Sequence, residues 1–180
     1  MVIRSIVPAV AALLLASSAP APAAPAADGG QAAPSLTTAL KDRQGRAVGK
    51  VTITETPYGL LVRGGVDGLP PGNHAIHFHE TGKCEAPFTS AGGHLNPAHK
   101  AHGVLSPAGP HAGDLPNLVV PASGKLDFEI FAPGLSLASG PGAVLDADGT
   151  SVVIHAKADD YASQPAGDSG DRIACAVIAR

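Results

Sequence analysis

Tryptophan is absent from this chain, and four phenylalanines with two tyrosines hold the aromatic content (Phe, Trp and Tyr) at 3 %. A hydrophobic core therefore has to be assembled from Val, Ile, Leu and Ala. No basic stretch occurs anywhere and the formal net charge is −3, which removes the electrostatic case for nucleic acid as a partner. An anionic substrate would need a local positive field against that background. Outside the first residues no segment is apolar and long enough to span a bilayer. No helical period of 3.6 and no internal repeat stands out beyond that N-terminal segment. Cysteine is scarce, with only Cys84 and Cys175.

The N-terminal segment is the one apolar exception. "MVIR" supplies a short positive start, "SIVPAVAALLLA" is too short to cross a membrane, and "SSAPAPAAPAA" offers several A-x-A sites. This pattern predicts a secretory signal peptide over residues 1–27. Cleavage near Asp28 would remove Arg4 alone among the charged residues and take the charge from −3 to −4. "DGGQAAP" over 28–34 reads as a flexible lead-in, and the domain is expected over 35–180, periplasmic or secreted. Export bears on the cysteines, because disulfides persist outside the cytoplasm. A Cys84–Cys175 bridge would close a loop of about 90 residues and serve as a structural staple, since the two are too far apart for a C-x-x-C redox motif.

What the chain has in excess is glycine and proline, 22 and 17 of 180 residues, which suits turns and long loops. Between them run short segments of period two. "SLTTALKD", "AVGKVTITE" and "YGLLVRG", separated by "RQGR" and "TPYG", predict an antiparallel meander. "HAIHFHE", "KLDFEIFA", "SVVIHAKA" and "RIACAVIAR" add further strands. The expectation is an all-β sandwich or flattened barrel. Nearly 50 residues between His79 and Leu126 show little strand character, and so long a loop is usually functional.

That loop carries most of the histidines. Seven of the eight (His74, His77, His79, His94, His99, His102 and His111) fall within 38 residues, and the eighth is His155. On a strand, His77 and His79 share one face while Ile76 and Phe78 point into the core. Two converging imidazoles suit zinc or copper, and Asp114 adds a carboxylate three residues after His111.

Taken in order, "GNHAIHFHE", "GGHLNPAHKAHG", "HAGDLPNLVV", "VVIHAKADD" and "DRIACAVI" resemble the signature blocks of the copper/zinc superoxide dismutase family, in its bacterial exported branch. The resemblance covers essentially the whole chain after the leader. It implies a Greek-key β-sandwich or flattened eight-stranded barrel with long metal-binding and active-site loops. It implies one copper, held by His77, His79, His94 and His155, and one zinc, held by His94, His102, His111 and Asp114. Superoxide is then the substrate, converted to dioxygen and hydrogen peroxide by alternating Cu(II)/Cu(I) chemistry, with His94 also supplying a proton. Arg172, three residues before Cys175, would hold the incoming anion; apart from the resemblance, Lys83, Lys100 or Lys157 are candidates for an outer ring of positive charge. Asp159 would accept hydrogen bonds from a copper ligand and a zinc ligand at once. His74 resembles a strand prop bonded to backbone, and His99 matches no ligand. The resemblance leaves monomer and homodimer both open. The competing reading is an exported copper/zinc carrier or buffer, which would need neither Arg172 nor a shared His94.

Overall fold

The computed structural model describes residues 32–180, so the leader expected over 1–27 and the start of the lead-in lie outside the described residues. Nine strand segments occur among the described residues: β1 (Ser35–Asp42), β2 (Ala47–Thr56), β3 (Gly59–Asp67), β4 (Gly72–His74), β5 (Ile76–His79), β6 (Leu118–Val120), β7 (Lys125–Pro133), β8 (Thr150–His155) and β9 (Arg172–Ile178). The only helical element described is a 3₁₀ turn over Thr89–Ala91.

β1, β2 and β3 form the meander that the alternating pattern predicts, each antiparallel to the next. The first turn is tightened by Asp42, whose Oδ1 accepts from the Gln44 and Arg46 amides at 2.9 Å each. A seven-stranded sheet runs β5-β8-β9-β1-β2-β3-β7, and a two-stranded sheet pairs β4 with β6. β4 and β5 are one strand broken at Ala75, where pairing passes from β6 to β8. The break is stitched, since Ala75 donates to the Lys157 carbonyl at 2.8 Å and accepts from the His155 amide at 2.9 Å. Counted that way the described residues form eight strands, all paired antiparallel. β7 lies beside β3 instead of the β6 that precedes it, which is the Greek-key crossing.

The core is aliphatic, as the missing tryptophan requires. Leu40, Val51, Ile53, Leu60, Val62, Ile76, Phe78, Val152, Ile154 and Ile178 are all fully buried within it. A smaller cluster of Phe88, Ala91, Val153, Cys84 and Cys175 packs around a Cys84–Cys175 disulfide. β6 was not anticipated, because its three residues sit inside the Gly- and Pro-rich stretch expected to be loop.

Candidate metal centre

β5 and β8 lie side by side in register, with His77 opposite Val153. Strand alternation sends Ile76 and Phe78 into the core and turns His77 and His79 to the other face. There they meet His155 from the end of β8 and His94 from the loop that follows β5. His77, His79, His94 and His155 can each offer one nitrogen within 4.8 Å of the others, and a second such group joins His94, His102, His111 and Asp114. His94 belongs to both.

Which nitrogen each ring points inward follows from what the other one does. His77 Nε2 donates to Asp159 Oδ2 at 2.8 Å, and His77 Nδ1 is buried with no hydrogen-bond partner. His94 Nδ1 meets Asp114 Oδ1 at 2.9 Å, and His94 Nε2 is likewise buried and unpartnered. His79 Nδ1 donates to the Gly92 carbonyl at 3.0 Å, while His155 Nδ1 faces Ser169 Oγ at 3.1 Å and the Gly170 carbonyl at 3.3 Å. Their Nε2 atoms then oppose each other at 3.4 Å. Four lone pairs thus converge on one buried point, an arrangement that a cation relieves and that nothing else in the fold satisfies.

The second group is built around one carboxylate. Asp114 Oδ1 lies 2.9 Å from His94 Nδ1, 3.0 Å from His102 Nδ1 and 3.3 Å from His111 Nδ1. Asp114 Oδ2 accepts from the Gly103 and His111 amides at 2.8 and 3.0 Å, so the carboxylate is fixed before any ion arrives. Three nitrogens and one oxygen suit tetrahedral zinc. The two groups are tied by Asp159, whose Oδ2 takes His77 Nε2 and whose Oδ1 takes His102 Nε2 at 2.9 Å.

The charge states agree with ligation. Burial lowers His77 to a pKa of about 4, partly offset by its bond to Asp159. Burial and then the charge of His77 lower His155 to about 3. His79 is pushed well below its ordinary value by burial, then by His94 and Arg172. All three are neutral imidazoles at neutral pH, which is the ligating form. Burial by itself would raise Asp114, but the His94 hydrogen bond, the Gly103 amide and the neighbouring rings hold it well below the usual carboxylate range.

A cleft leads to this centre, lined in part by Glu80, His94, His99, His111, His155 and Arg172. The Arg172 guanidinium is anchored by the Phe88 and Gly92 carbonyls, both at 2.6 Å. Phe88 can aim its carbonyl there because it takes a left-handed conformation, φ 72°. Arg43 in turn holds the Arg172 carbonyl at 2.7 Å. Among the described residues no lysine lines the cleft: Lys157 lies 3.7 Å from Asp168, Lys83 borders a groove beside the disulfide, and Lys100 borders a neighbouring pocket with His111 and Asp114. His74 is set apart, its ring nitrogens 2.8 Å from the His155 and Pro70 carbonyls, where it props β4 against the end of β8. His99 is exposed at the rim.

Three residues of this neighbourhood escaped sequence reasoning. Asn117 and Gln164 bind backbone of the centre through their side-chain amides. Gly167 has φ +68°, and a Cβ there would run into Asp159 Oδ1 and His102 Nε2. The only signal for it was glycine in a short run between two predicted strands.

The family model described as copper/zinc superoxide dismutase matches residues 47–178. A copper/zinc superoxide dismutase of Caulobacter vibrioides is 47 % identical over 148 residues, covering 80 % of this chain and 85 % of that protein. One from Aquifex aeolicus is 44 % identical over 142 residues, 77 % and 83 % of the two chains. Among solved structures, the Brucella abortus copper/zinc superoxide dismutase aligns with a TM-score of 0.67 at 31 % identity, covering 81 % of this chain and 99 % of that one. A mutant of a superoxide dismutase-like protein from Bacillus subtilis aligns with a TM-score of 0.77 at 43 % identity, covering 80 % and 97 %. With two metal-ready donor groups sharing one histidine on the outer face of an antiparallel β-sandwich, the chain belongs to the copper/zinc superoxide dismutase family, oxidoreductases that use copper and zinc to disproportionate superoxide.

Proposed function

We propose that His77, His79, His94 and His155 hold copper, that His94, His102, His111 and Asp114 hold zinc, and that Arg172 receives the substrate anion. The observation that carries this reading is the pair of buried, unpartnered nitrogens, His77 Nδ1 and His94 Nε2, aimed into one four-histidine group. Copper there supplies a one-electron couple, so that two superoxide anions and two protons become dioxygen and hydrogen peroxide, while zinc supplies a fixed positive charge. The rest of the task falls to the chain. Arg172, steadied by two carbonyls, offers its remaining N–H donors to an anion in the cleft. His94 Nε2 is the nitrogen that can take up a proton and pass it to the nascent peroxide, because its Nδ1 stays on the Asp114 side. Asp159 holds His77 and His102 at fixed angles to each other.

We further infer that residues 1–27 direct export and are removed, and that 35–180 form the working domain. The disulfide supports a non-reducing compartment. The test is elemental analysis beside a dismutation assay. The protein should bind one copper and one zinc per chain and lose activity to cyanide. His155→Ala should lose copper selectively, and Asp114→Ala should mainly weaken zinc. A His155→Ala protein that sheds zinc and keeps copper would refute the assignment.

A further inference from the structure

We propose that Gln164 is a positioning residue for the zinc site, acting by gripping the backbone of His102, and that the two long loops are locked together by a reciprocal pair of side-chain amides. One loop runs from β5 to β6 (80–117) and the other from β8 to β9 (156–171). Each lends the other one amide. Gln164, on the second loop, accepts from the His102 amide at Oε1 (2.8 Å) and donates from Nε2 to the His102 carbonyl (2.9 Å). Asn117, at the end of the first loop, accepts from the Asp159 amide (2.8 Å) and donates to the Asp159 carbonyl (2.9 Å). Each clamp reproduces the two-bond exchange of a hydrogen-bonded antiparallel strand pair, with a side chain in place of one strand.

The residues gripped are not arbitrary. His102 and Asp159 are joined by their own side chains, Nε2 to Oδ1, at 2.9 Å. The two clamps therefore fix the backbones at both ends of one hydrogen bond. The orientation of Gln164 is not free to flip either. A backbone N–H must meet its oxygen and two carbonyls, His102 and Ala162 (2.9 Å each), must meet its nitrogen. Burial does not explain the placement, since Gln164 is an exposed residue. With Gln164 in place, all four polar atoms of His102 are held: N and O by the amide, Nε2 by Asp159, and Nδ1 3.0 Å from Asp114 Oδ1 in the donor group. Metal–ligand distances tolerate shifts of only about 0.2 Å, so the backbone position of a ligand matters as much as its rotamer.

This inference rests on the reading of His102 as a zinc ligand, and the experiment separates the two. The copper- and zinc-loaded protein is challenged with a chromogenic chelator, and the visible spectrum is recorded with Co(II) in the zinc position. Gln164→Ala should release zinc about 10-fold faster or more, as expected for loss of an outer partner, and shift the Co(II) bands while copper content stays at one per chain. Gln164→Glu, the same length but without the two donors, should behave like the alanine variant because its oxygen faces the His102 carbonyl. Asp160→Asn loosens the same loop by weakening the turn that Asp160 Oδ1 makes with the Ala162 and Ser163 amides, and it does not touch His102. It should release zinc at the parental rate. Zinc release and Co(II) bands unchanged in Gln164→Ala, or parental behaviour of Gln164→Glu, would overturn the clamp, as would Asp160→Asn matching the alanine variant. A parent protein that binds no Co(II) beside His102 would overturn the ligand assignment and the clamp with it.

Discussion

Each histidine of the centre divides its two nitrogens between an outward hydrogen bond and an inward lone pair, and that division has a measurable consequence before any metal binds. In the metal-free fold His77 keeps a pKa of about 4 and His155 about 3, both lowered first by burial. In the unfolded chain each returns to its ordinary 6.5. Between those limits the unfolded state binds more protons, so stability must fall as pH falls. At neutral pH and above, the two rings are neutral in both states and contribute no pH dependence. Asp114 and Asp159 shift in the protective direction for carboxylates, so their contribution is lost only below the ordinary 3.8. Metal-free protein should therefore lose stability on the order of a few kcal/mol from pH 7 to about 4. Urea midpoints measured at several pH values in that range would check it. A flat profile would mean that these rings are not neutral and buried in the folded state.

At the scale of elements, strand alternation made much of this protein legible before any coordinates, and the reasons for the gaps are physical. Period-two patterning in "AVGKVTITE" and "KLDFEIFA" marks β2 and β7 because one face of each is half-buried. β6 has only three residues, too few to establish a period, and its exposed Val119 looks no different from a loop residue. The histidines and Asp114 were visible because metal chemistry selects residue type. Gln164 and Asn117 were not, because an amide that grips backbone leaves no mark in its spacing. The disulfide illustrates the element scale most directly. Cys175 sits in β9 opposite Val153 of β8, and Cys84 starts the stretch that carries Phe88 and Gly92, the carbonyls that anchor Arg172. Closing 91 residues, the bridge contributes about 4–5 kcal/mol in the chain-entropy model. Cys84→Ser and Cys175→Ser should each lower stability by a similar amount, with the double variant little worse than either. Markedly additive losses in urea unfolding would show that the two sulfurs do not act as one unit.

For the molecule as a whole, the difficulty is charge. The chain carries −3, which would become −4 on the proposed removal of residues 1–27, and its substrate is an anion. General attraction is therefore ruled out, and a local positive focus has to be built into the cleft that leads to the two donor groups. Clefts of one sign raise on-rates by about 10- to 1,000-fold, so a single well-placed cation is enough to reverse a weak background repulsion. Among the described residues Arg172 is the one Arg or Lys lining this cleft, which Glu80 also lines. Lys83, Lys100 and Lys157 do not line it, so Arg172 is the cation nearest the donor groups within it. Added salt screens such a field over about 8–10 Å, so the parental rate should fall as ionic strength rises. Arg172→Glu reverses the sign at the same place. Its kcat/KM should drop sharply with copper and zinc content unchanged, and its rate should rise with salt instead of falling. Near-normal activity of that variant, with the parental salt response, would assign the steering to another group and leave Arg172 as a strap between β9 and the Phe88–Gly92 loop.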